Sequence, residues 1–343
     1  MDRRQQLRLR RRIALNILER FPISCESITL FEHEVNTIYR VTGDLHSAGK
    51  KAGSKSDTLE KGDRFALKIY GPGMDQAPIQ SELEWVAHLH FEASVAVPKP
   101  IESLEGSFVR DGGVSEGSHA PFGTLCCWVP GRIQQEGKLR MTHVEQVGEM
   151  LASMHLAAES FVPSKGFQRP RWDYDGLIGD SVMSSLLERL SPEQVASIQA
   201  GAKFIRRLFE ELGSNSDHFG MIHGDFHNGN VSHHRGKPWA IDFEACGWGY
   251  FQYDLAATLR VLEEETADHL AADGLRDRFL ESYSRVRPVP EMSDAMLAGL
   301  MAAHRLFLAR YLVDRLDDPE RGAYFRGFLD RVIQSLEQLA ENR

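Results

Sequence analysis

Four cysteines in 343 residues (Cys25, Cys126, Cys127 and Cys246) are too few, and too irregularly spaced, for a disulfide framework or a paired-thiolate metal site. Nowhere do about 18 apolar residues run together, so no segment is expected to span a membrane. No apolar stretch follows the basic amino terminus, so a secretory signal is not expected. A surplus of positive charge is also missing: 40 Lys and Arg face 49 Asp and Glu, a net −9. A general nucleic-acid binder needs the opposite balance. The expectation is a reduced, cytoplasmic protein with no nucleic-acid and no membrane partner. Nothing in the sequence speaks to oligomeric state. With 42% hydrophobic and 26% charged residues, the composition is that of a globular chain. Its length predicts roughly two domains.

The charge is uneven. Residues 1–20 carry seven arginines against Asp2 and Glu19, a net +5, so residues 21–343 sum to −14. The spacing of Leu7, Ala14, Ile17 and Leu18 predicts an amphipathic helix with a solvated basic face. Residues 24–43, rich in Ile, Thr, Val, Phe and Tyr, predict two strands broken near 34–36. Residues 44–63 are polar and predict a surface connection. A compact strand follows at 64–70 (RFALKIY), then a helix at 79–90 from Ile79, Leu83, Val86 and Leu89. Strands are expected at 95–101, 108–110 and 123–129. Beyond that the chain turns helical. Thr142 and Glu145 suggest a capping box, and Ser191-Pro192 restarts a helix within 186–212. After a β-rich insert at 221–251, helices are expected over 254–265, 274–286, 292–316 and 320–340.

The chemistry-bearing stretch is 221–256, MIHGDFHNGNVSHHRGKPWAIDFEACGWGYFQYDLA. His223-Gly224-Asp225 precedes Asn230 at the spacing of the kinase catalytic loop H-R-D-x-x-x-x-N, with glycine where arginine would stand. Further on, a short apolar strand ends in Asp242. Phosphoryl transfer asks for positioning and charge neutralisation. One Asp must take the acceptor hydroxyl's proton, while an Asn oxygen and a second Asp hold Mg2+, a hard cation that keeps oxygen ligands. A turn at 235–238 folds the second strand back toward the loop. The competing reading makes His223, Asp225 and His227 ligands of a hydrolytic metal. Gly224 and Asn228-Gly229 argue against the helix that a His-x-x-x-His zinc site needs.

The segment resembles the aminoglycoside phosphotransferase / choline kinase superfamily, small-molecule kinases with a protein-kinase-like fold. The signature H-G-D-x-H-x-x-N is matched throughout 223–230. The second signature is matched by Ile241-Asp242-Phe243-Glu244, by Gly247 or Gly249, and by Asp254-Leu255-Ala256. The resemblance implies an α+β, protein-kinase-like bilobal fold: a small strand-rich N-lobe at 1–125 that binds nucleotide, and a larger, mainly helical C-lobe at 126–343. It implies ATP and Mg2+ as cofactors, with Asp225 the catalytic base, His223 bracing the loop, and Asn230 and Asp242 the metal ligands. Asp254 would accept hydrogen bonds from the loop backbone. The reaction implied is transfer of the γ-phosphate to a hydroxyl of a small molecule, an amino alcohol, an aminoglycoside-like compound or a hydroxy amino acid. A protein-directed or non-catalytic kinase-fold signalling or binding module is the alternative.

That reading requires a strand lysine and a helix glutamate upstream. In 64–70 the residues Phe65, Leu67 and Ile69 face one way and Ala66, Lys68 and Tyr70 the other, so Lys68 is the candidate for the α/β phosphates. Its partner is Glu82 or Glu84, with Glu82 preferred. No G-x-G-x-x-G lies in 24–43; Asn36 and Thr37 stand there instead. Asn36 faces either the phosphates or its own turn. The hinge that would hold adenine, at the link between the halves, matches 124–131, with backbone near Cys126–Trp128 facing the base. The vicinal Cys126-Cys127 pair reads as small strand hydrophobes rather than a redox pair. Candidate acceptor-site residues are Glu244, Trp248, Tyr250, Tyr253, His304, Arg305, Arg310 and Tyr311.

Overall fold

The basic amino terminus folds as α1 (Arg3–Leu18), and the chain then runs through β1 (Ile23–His33), β2 (Thr37–Leu45), β3 (Asp63–Ile69), α2 (Gln76–Phe91), β4 (Val109–Asp111) and β5 (Phe122–Cys127). The computed structural model describes residues 3–33, 35–46, 63–71, 73–115, 120–135, 138–213, 218–266, 272–313, 316–317 and 322–341. Most of the polar connection expected at 44–63 lies outside these residues, as does Glu34. The chain divides into two compact units. The first comprises Met1–Gly131, Val162–Gln168 and Trp239–Ile241; the second holds Arg132–Phe161, Arg169–Pro238 and Asp242–Arg343.

The first unit is built on an antiparallel sheet of order β1-β2-β3-β5-β4. Alternation in β3 sets its two faces. Phe65, Leu67 and Ile69 are fully buried in a core with Val41, Leu125 and the α1 residues Ile13, Ala14, Ile17 and Leu18. Lys68 and Tyr70 point to the other face, where Tyr70 packs with Ile79 and Leu83 of α2. The arginine-rich helix is therefore held by its apolar stripe. One arginine departs from the solvated pattern: Arg10 is 2% exposed and donates to the Tyr70 carbonyl at 2.9 Å. The strand expected at 95–101 is absent. Pro98 and Pro100 lack amide protons, so this stretch cannot form a full ladder. It touches β5 through Ile101 N–H to Leu125 O, Cys127 N–H to Lys99 O and one bridge at Pro100.

The second unit contains β6 (Arg132–Ile133), α3 (Met141–Ala158), β7 (Arg171–Trp172), α4 (Tyr174–Ile178), α5 (Asp180–Leu187), α6 (Pro192–Leu212), β8 (Phe219–Ile222), β9 (Val231–His234), the start of β10 (Lys237–Ala240), β11 (Gly247–Tyr250), α7 (Phe251–Thr266), α8 (Ala272–Ser284), α9 (Asp294–Leu312) and α10 (Gly322–Glu341). The helix restarts at Ser191-Pro192 as expected, and a capping box forms there: Ser191 Oγ accepts from the Gln194 amide and Gln194 Oε1 from the Ser191 amide. The one expected at Thr142 does not. The helix begins two residues earlier, His143 Nδ1 accepts from the Arg140 amide, and Glu145 pairs with Arg278 of α8 at 3.3 Å. Two short sheets frame the central loops. In the order β7-β11-β8, β8 leads into His223 and β11 follows Asp242. β9 pairs with β6 and turns at Arg235 and Gly236, both with positive φ, as a tight hairpin requires. Among the described residues no helix is long and apolar enough to cross a membrane.

Candidate active site

β8 ends at Ile222 and the chain bends at Gly224, whose φ is 80°. A Cβ there would lie 2.5 Å from the Ala245 carbonyl oxygen and 2.9 Å from Trp172 Nε1. No side chain fits, which explains why glycine occupies the middle of His223-Gly224-Asp225. The loop is then tied from beneath. Asp254, in the first turn of α7, accepts from the amides of His223 and Gly224, each at 2.9 Å. This is the backbone role that the resemblance implied for it. His155 Nε2 reaches the same carboxylate at 3.1 Å, and Tyr283 Oη lies 2.8 Å from His155 Nδ1. His155 and Asp254 are fully buried. Burial pushes the imidazole pKa down against the pull of Asp254. The ring is neutral: Nε2–H donates to Asp254, and Nδ1 accepts from Tyr283. Burial opposes the charge on Asp254, yet the hydrogen bonds from His155 and the His223 amide prevail and hold its pKa below the usual value. The His223 ring, 1% exposed, sits between Phe226 and Phe243 at 5.1 and 4.7 Å.

Above this support, the Asp225 side chain is 38% exposed. Its carbonyl accepts from Asn230 Nδ2 at 2.9 Å, which fixes the orientation of the buried Asn230 side chain. Two imidazoles flank the carboxylate: His227 Nε2 is 3.8 Å from Oδ2 and His304 Nε2 3.8 Å from Oδ1. Each ring has its tautomer set at the other nitrogen. Gly229 N–H donates to His227 Nδ1 at 3.0 Å, and Arg260 Nε–H donates to His304 Nδ1 at 3.1 Å. Both rings therefore present Nε2–H to Asp225. Burial leads in depressing both pKa values. The nearby Arg260 and His227 add to it at His304, whereas Asp225 opposes it at His227. Asp242 is exposed, has φ 61°, and makes no hydrogen bond or ion pair with a described residue. Its charge reaches His227. His227 thus faces Asp225 directly and senses Asp242 as well. The amide oxygen of Asn230 likewise has no hydrogen-bond partner among the described residues. No cluster of three or more His, Cys, Asp or Glu suited to a metal ion occurs among the described residues.

The remaining predicted residues gather in the first unit. Lys68 Nζ stands 4.9 Å over the Tyr70 ring, and Tyr70 Oη donates to Glu82 Oε1 at 3.5 Å. The Cys126 thiol is pushed up to about 12 by burial, then by Cys127 and Glu82, with Lys68 opposing. Lys68, Glu82 and Cys126 therefore share one neighbourhood. Glu82 is 7% exposed. Glu84 is engaged elsewhere, accepting from the Ser164 amide and hydroxyl at 2.6 Å each. Asn36 Oδ1 accepts from the Gly71 amide at 3.0 Å, so its oxygen braces the exit of β3 rather than its own turn. At the presumed hinge the Cys127 and Trp128 amides already donate, to Lys99 O and Arg64 O.

The candidate acceptor residues separate. Tyr253 and His304 lie together, ring centroids 5.8 Å apart, beside Asp225. Tyr250 donates to the Gly213 carbonyl and packs on Phe209 and Phe219, a structural role. Trp248 packs near Phe161, Arg305 pairs with Glu264, and Arg310 stacks on Phe307. The backbone of Glu244 accepts from Arg169. The Tyr311 side chain lies outside the described residues. His155, Tyr283 and Arg260 were not singled out by sequence. A polar residue on the buried face of α3, beside Leu151 and Met154, is the signal that marks His155.

These buried imidazoles carry a pH dependence. His155, His233 and His304 all have depressed pKa values, His233 to about 4 and each chiefly through burial. An unfolded chain protonates its histidines near pH 6.5, whereas these resist protonation when folded. The stability they contribute is complete above about pH 6.5 and is lost as pH falls toward about 4. Denaturant midpoints are expected to drop between about pH 7.5 and about pH 5. An unchanged or higher midpoint at the acid end contradicts the neutral assignment.

Comparison with known proteins comes from three directions. A family profile described as "Phosphotransferase enzyme family" matches residues 51–289. Amicoumacin kinase of Bacillus subtilis (strain 168) is 27% identical over 184 residues, 53% of this chain; the match spans only 52% of that kinase, about half its length. A homoserine kinase of Bradyrhizobium diazoefficiens is 30% identical over 264 residues, 74% of this chain and 74% of that protein. Among solved structures, an amicoumacin kinase in complex with AMP-PNP, Ca2+ and Ami superposes with a TM-score of 0.75 at 19% identity, over 97% of this chain and 96% of that one.

Proposed function

Because the chain belongs to the phosphotransferase enzyme family, we propose that it is an ATP- and Mg2+-dependent kinase that moves the γ-phosphate to a hydroxyl of a small molecule. The observation that carries this is the catalytic loop. The Asp225 carboxylate is partly exposed and the Asn230 side chain is fixed on the Asp225 carbonyl; the oxygens of Asn230 and Asp242 make no hydrogen bond to a described residue, and the charge of Asp242 reaches His227, which faces Asp225. Such donors suit a hard divalent cation and would not select a soft one. Asn230 and Asp242 would hold it. A cation held there would supply neutralisation of the charge developing on the terminal phosphate oxygens.

The chain's own residues do the rest. Asp225 accepts the hydrogen bond of the acceptor hydroxyl and takes its proton as the oxygen attacks phosphorus. Asp254 and His155 keep the loop from relaxing while this happens. Lys68, with Glu82 on the neighbouring helix, supplies the positive charge for the α/β phosphates. Beside it, the Val129 amide is the hinge donor left for the adenine edge, since Cys127 and Trp128 are already committed. The acceptor class is an amino alcohol, an aminoglycoside-like compound or a hydroxy amino acid. Its relatives include an amicoumacin kinase and a homoserine kinase, and homoserine is a hydroxy amino acid. We place the protein in the cytoplasm, where ATP is available and its four cysteines, none of them in a disulfide, stay reduced.

The deciding experiment is a coupled ADP-release screen over amino alcohols, aminoglycosides, hydroxy amino acids and sugars. Acceptor-dependent ADP release that requires Mg2+ supports the reading. A phosphorylated protein substrate, with no small-molecule acceptor, favours the protein-directed alternative.

A further inference from the structure

Two buried polar atoms near Asp225 make no hydrogen bond to a described residue. Tyr253 is fully buried and His304 is 1% exposed. Tyr253 Oη and His304 Nε2 have no hydrogen bond among the described residues. Leaving such groups unpaired is costly, so their persistence needs a reason. Arg260 makes the reason legible. By donating to His304 Nδ1 at 3.1 Å, it forces the proton onto Nε2 and aims that donor at Asp225 Oδ1. The separation of 3.8 Å is too long for a direct hydrogen bond. It admits one oxygen atom at about 2.8 Å from each.

We infer that His304 Nε2–H and Tyr253 O–H line the seat of the attacking hydroxyl oxygen, together engaging one of its lone pairs while Asp225 holds its proton and the second lone pair stays free to attack phosphorus. The inference rests on Asp225 being the base. In the transfer, the seated oxygen forms a bond to the γ-phosphorus and the bond from that phosphorus to the β–γ bridging oxygen breaks. ADP leaves with that electron pair, and the hydroxyl proton passes to Asp225. The charge environment agrees: Asp225 bears on Tyr253, as do Asp254, Arg260 and Arg310. The seat takes an oxygen. A protonated amine has no lone pair for these donors, so it gains no hydrogen bond from them.

Water is the smallest occupant of such a seat, so the test needs no identified acceptor. ADP release from Mg·ATP without added acceptor is measured for the unaltered chain and for Asp225→Asn, Tyr253→Phe and His304→Leu, with the melting temperature of each. Tyr253→Phe is expected to slow ADP release roughly tenfold, the size of one hydrogen bond, without lowering the melting temperature, because the hydroxyl it removes makes no hydrogen bond to a described residue. His304→Leu slows it at least as much. If both variants release ADP at the unaltered rate while Asp225→Asn is slow, the seat is wrong and the base assignment stands. A lower melting temperature for Tyr253→Phe makes its hydroxyl structural and also overturns the seat. If Asp225→Asn runs at the unaltered rate, the underlying reading fails.

Discussion

Replacing Asp225 with Asn is expected to cut Mg·ATP turnover by roughly 10²-fold or more, the range for a positioned general base, and to leave ATP affinity near normal. The substitution isolates the proton acceptor for three reasons. The hydrogen bond that fixes Asn230 goes to the Asp225 backbone carbonyl at 2.9 Å, so it survives. Support of the loop comes from Asp254 through the amides of His223 and Gly224, which the change does not touch. The flanking Nε2–H groups of His227 and His304 stand at 3.8 Å and can still face the amide oxygen. What is lost is basicity. Steady-state kinetics checks this through kcat with the KM for ATP held. A full rate in Asp225→Asn shows that another group takes the proton.

Asp242→Gly is the second large effect, and it separates binding from stability. Asp242 has a φ of 61°, the left-handed region that costs an ordinary residue roughly 1–2 kcal/mol. Glycine takes this conformation freely. The carboxylate makes no hydrogen bond or ion pair with a described residue that could offset the strain. Strain without internal reward is the mark of a functional position. Asp242→Gly is therefore expected to hold or raise the melting temperature while weakening Mg·ATP binding severely. On loss of one charged metal ligand, about tenfold or more is expected. Asp242→Ala would confuse the two effects, since alanine keeps the strain and loses the ligand. Calorimetric titration of Mg·ATP into the glycine variant, beside its thermal melt, checks both halves. Unchanged affinity removes Asp242 from the metal site; a lower melting temperature shows that its carboxylate is structural.

How much of this was legible before the fold was known depends on the kind of interaction. The strand at 64–70 was legible because alternation alone places Phe65, Leu67 and Ile69 in the core. The helix restart at Ser191-Pro192 was legible because capping is local chemistry. Where proline competes, hydrophobicity misleads: 95–101 reads as a strand but cannot donate at Pro98 and Pro100. The cap at Thr142 failed because a shift of two residues transfers the box to Arg140 and His143. The loop residues Asp225, Asn230 and Asp242 stood out because phosphoryl transfer restricts both their types and their spacing. The support did not. His155 meets Asp254 across 99 residues, and Arg260 meets His304 across 44. Side chains that meet only through tertiary packing leave no local spacing to read. Glu82 and Glu84 were separable only once Ser164 was seen to occupy the second.

The central claim is that Asn230 and Asp242 gather a divalent cation onto ATP beside Asp225. Calorimetric titration of ATP into the unaltered chain, once with Mg2+ and once with EDTA, tests it most directly. The account predicts binding that strengthens markedly with Mg2+ and loses that gain in Asp242→Gly. Equal affinity in EDTA, or a gain from Mg2+ that survives in Asp242→Gly, would contradict it.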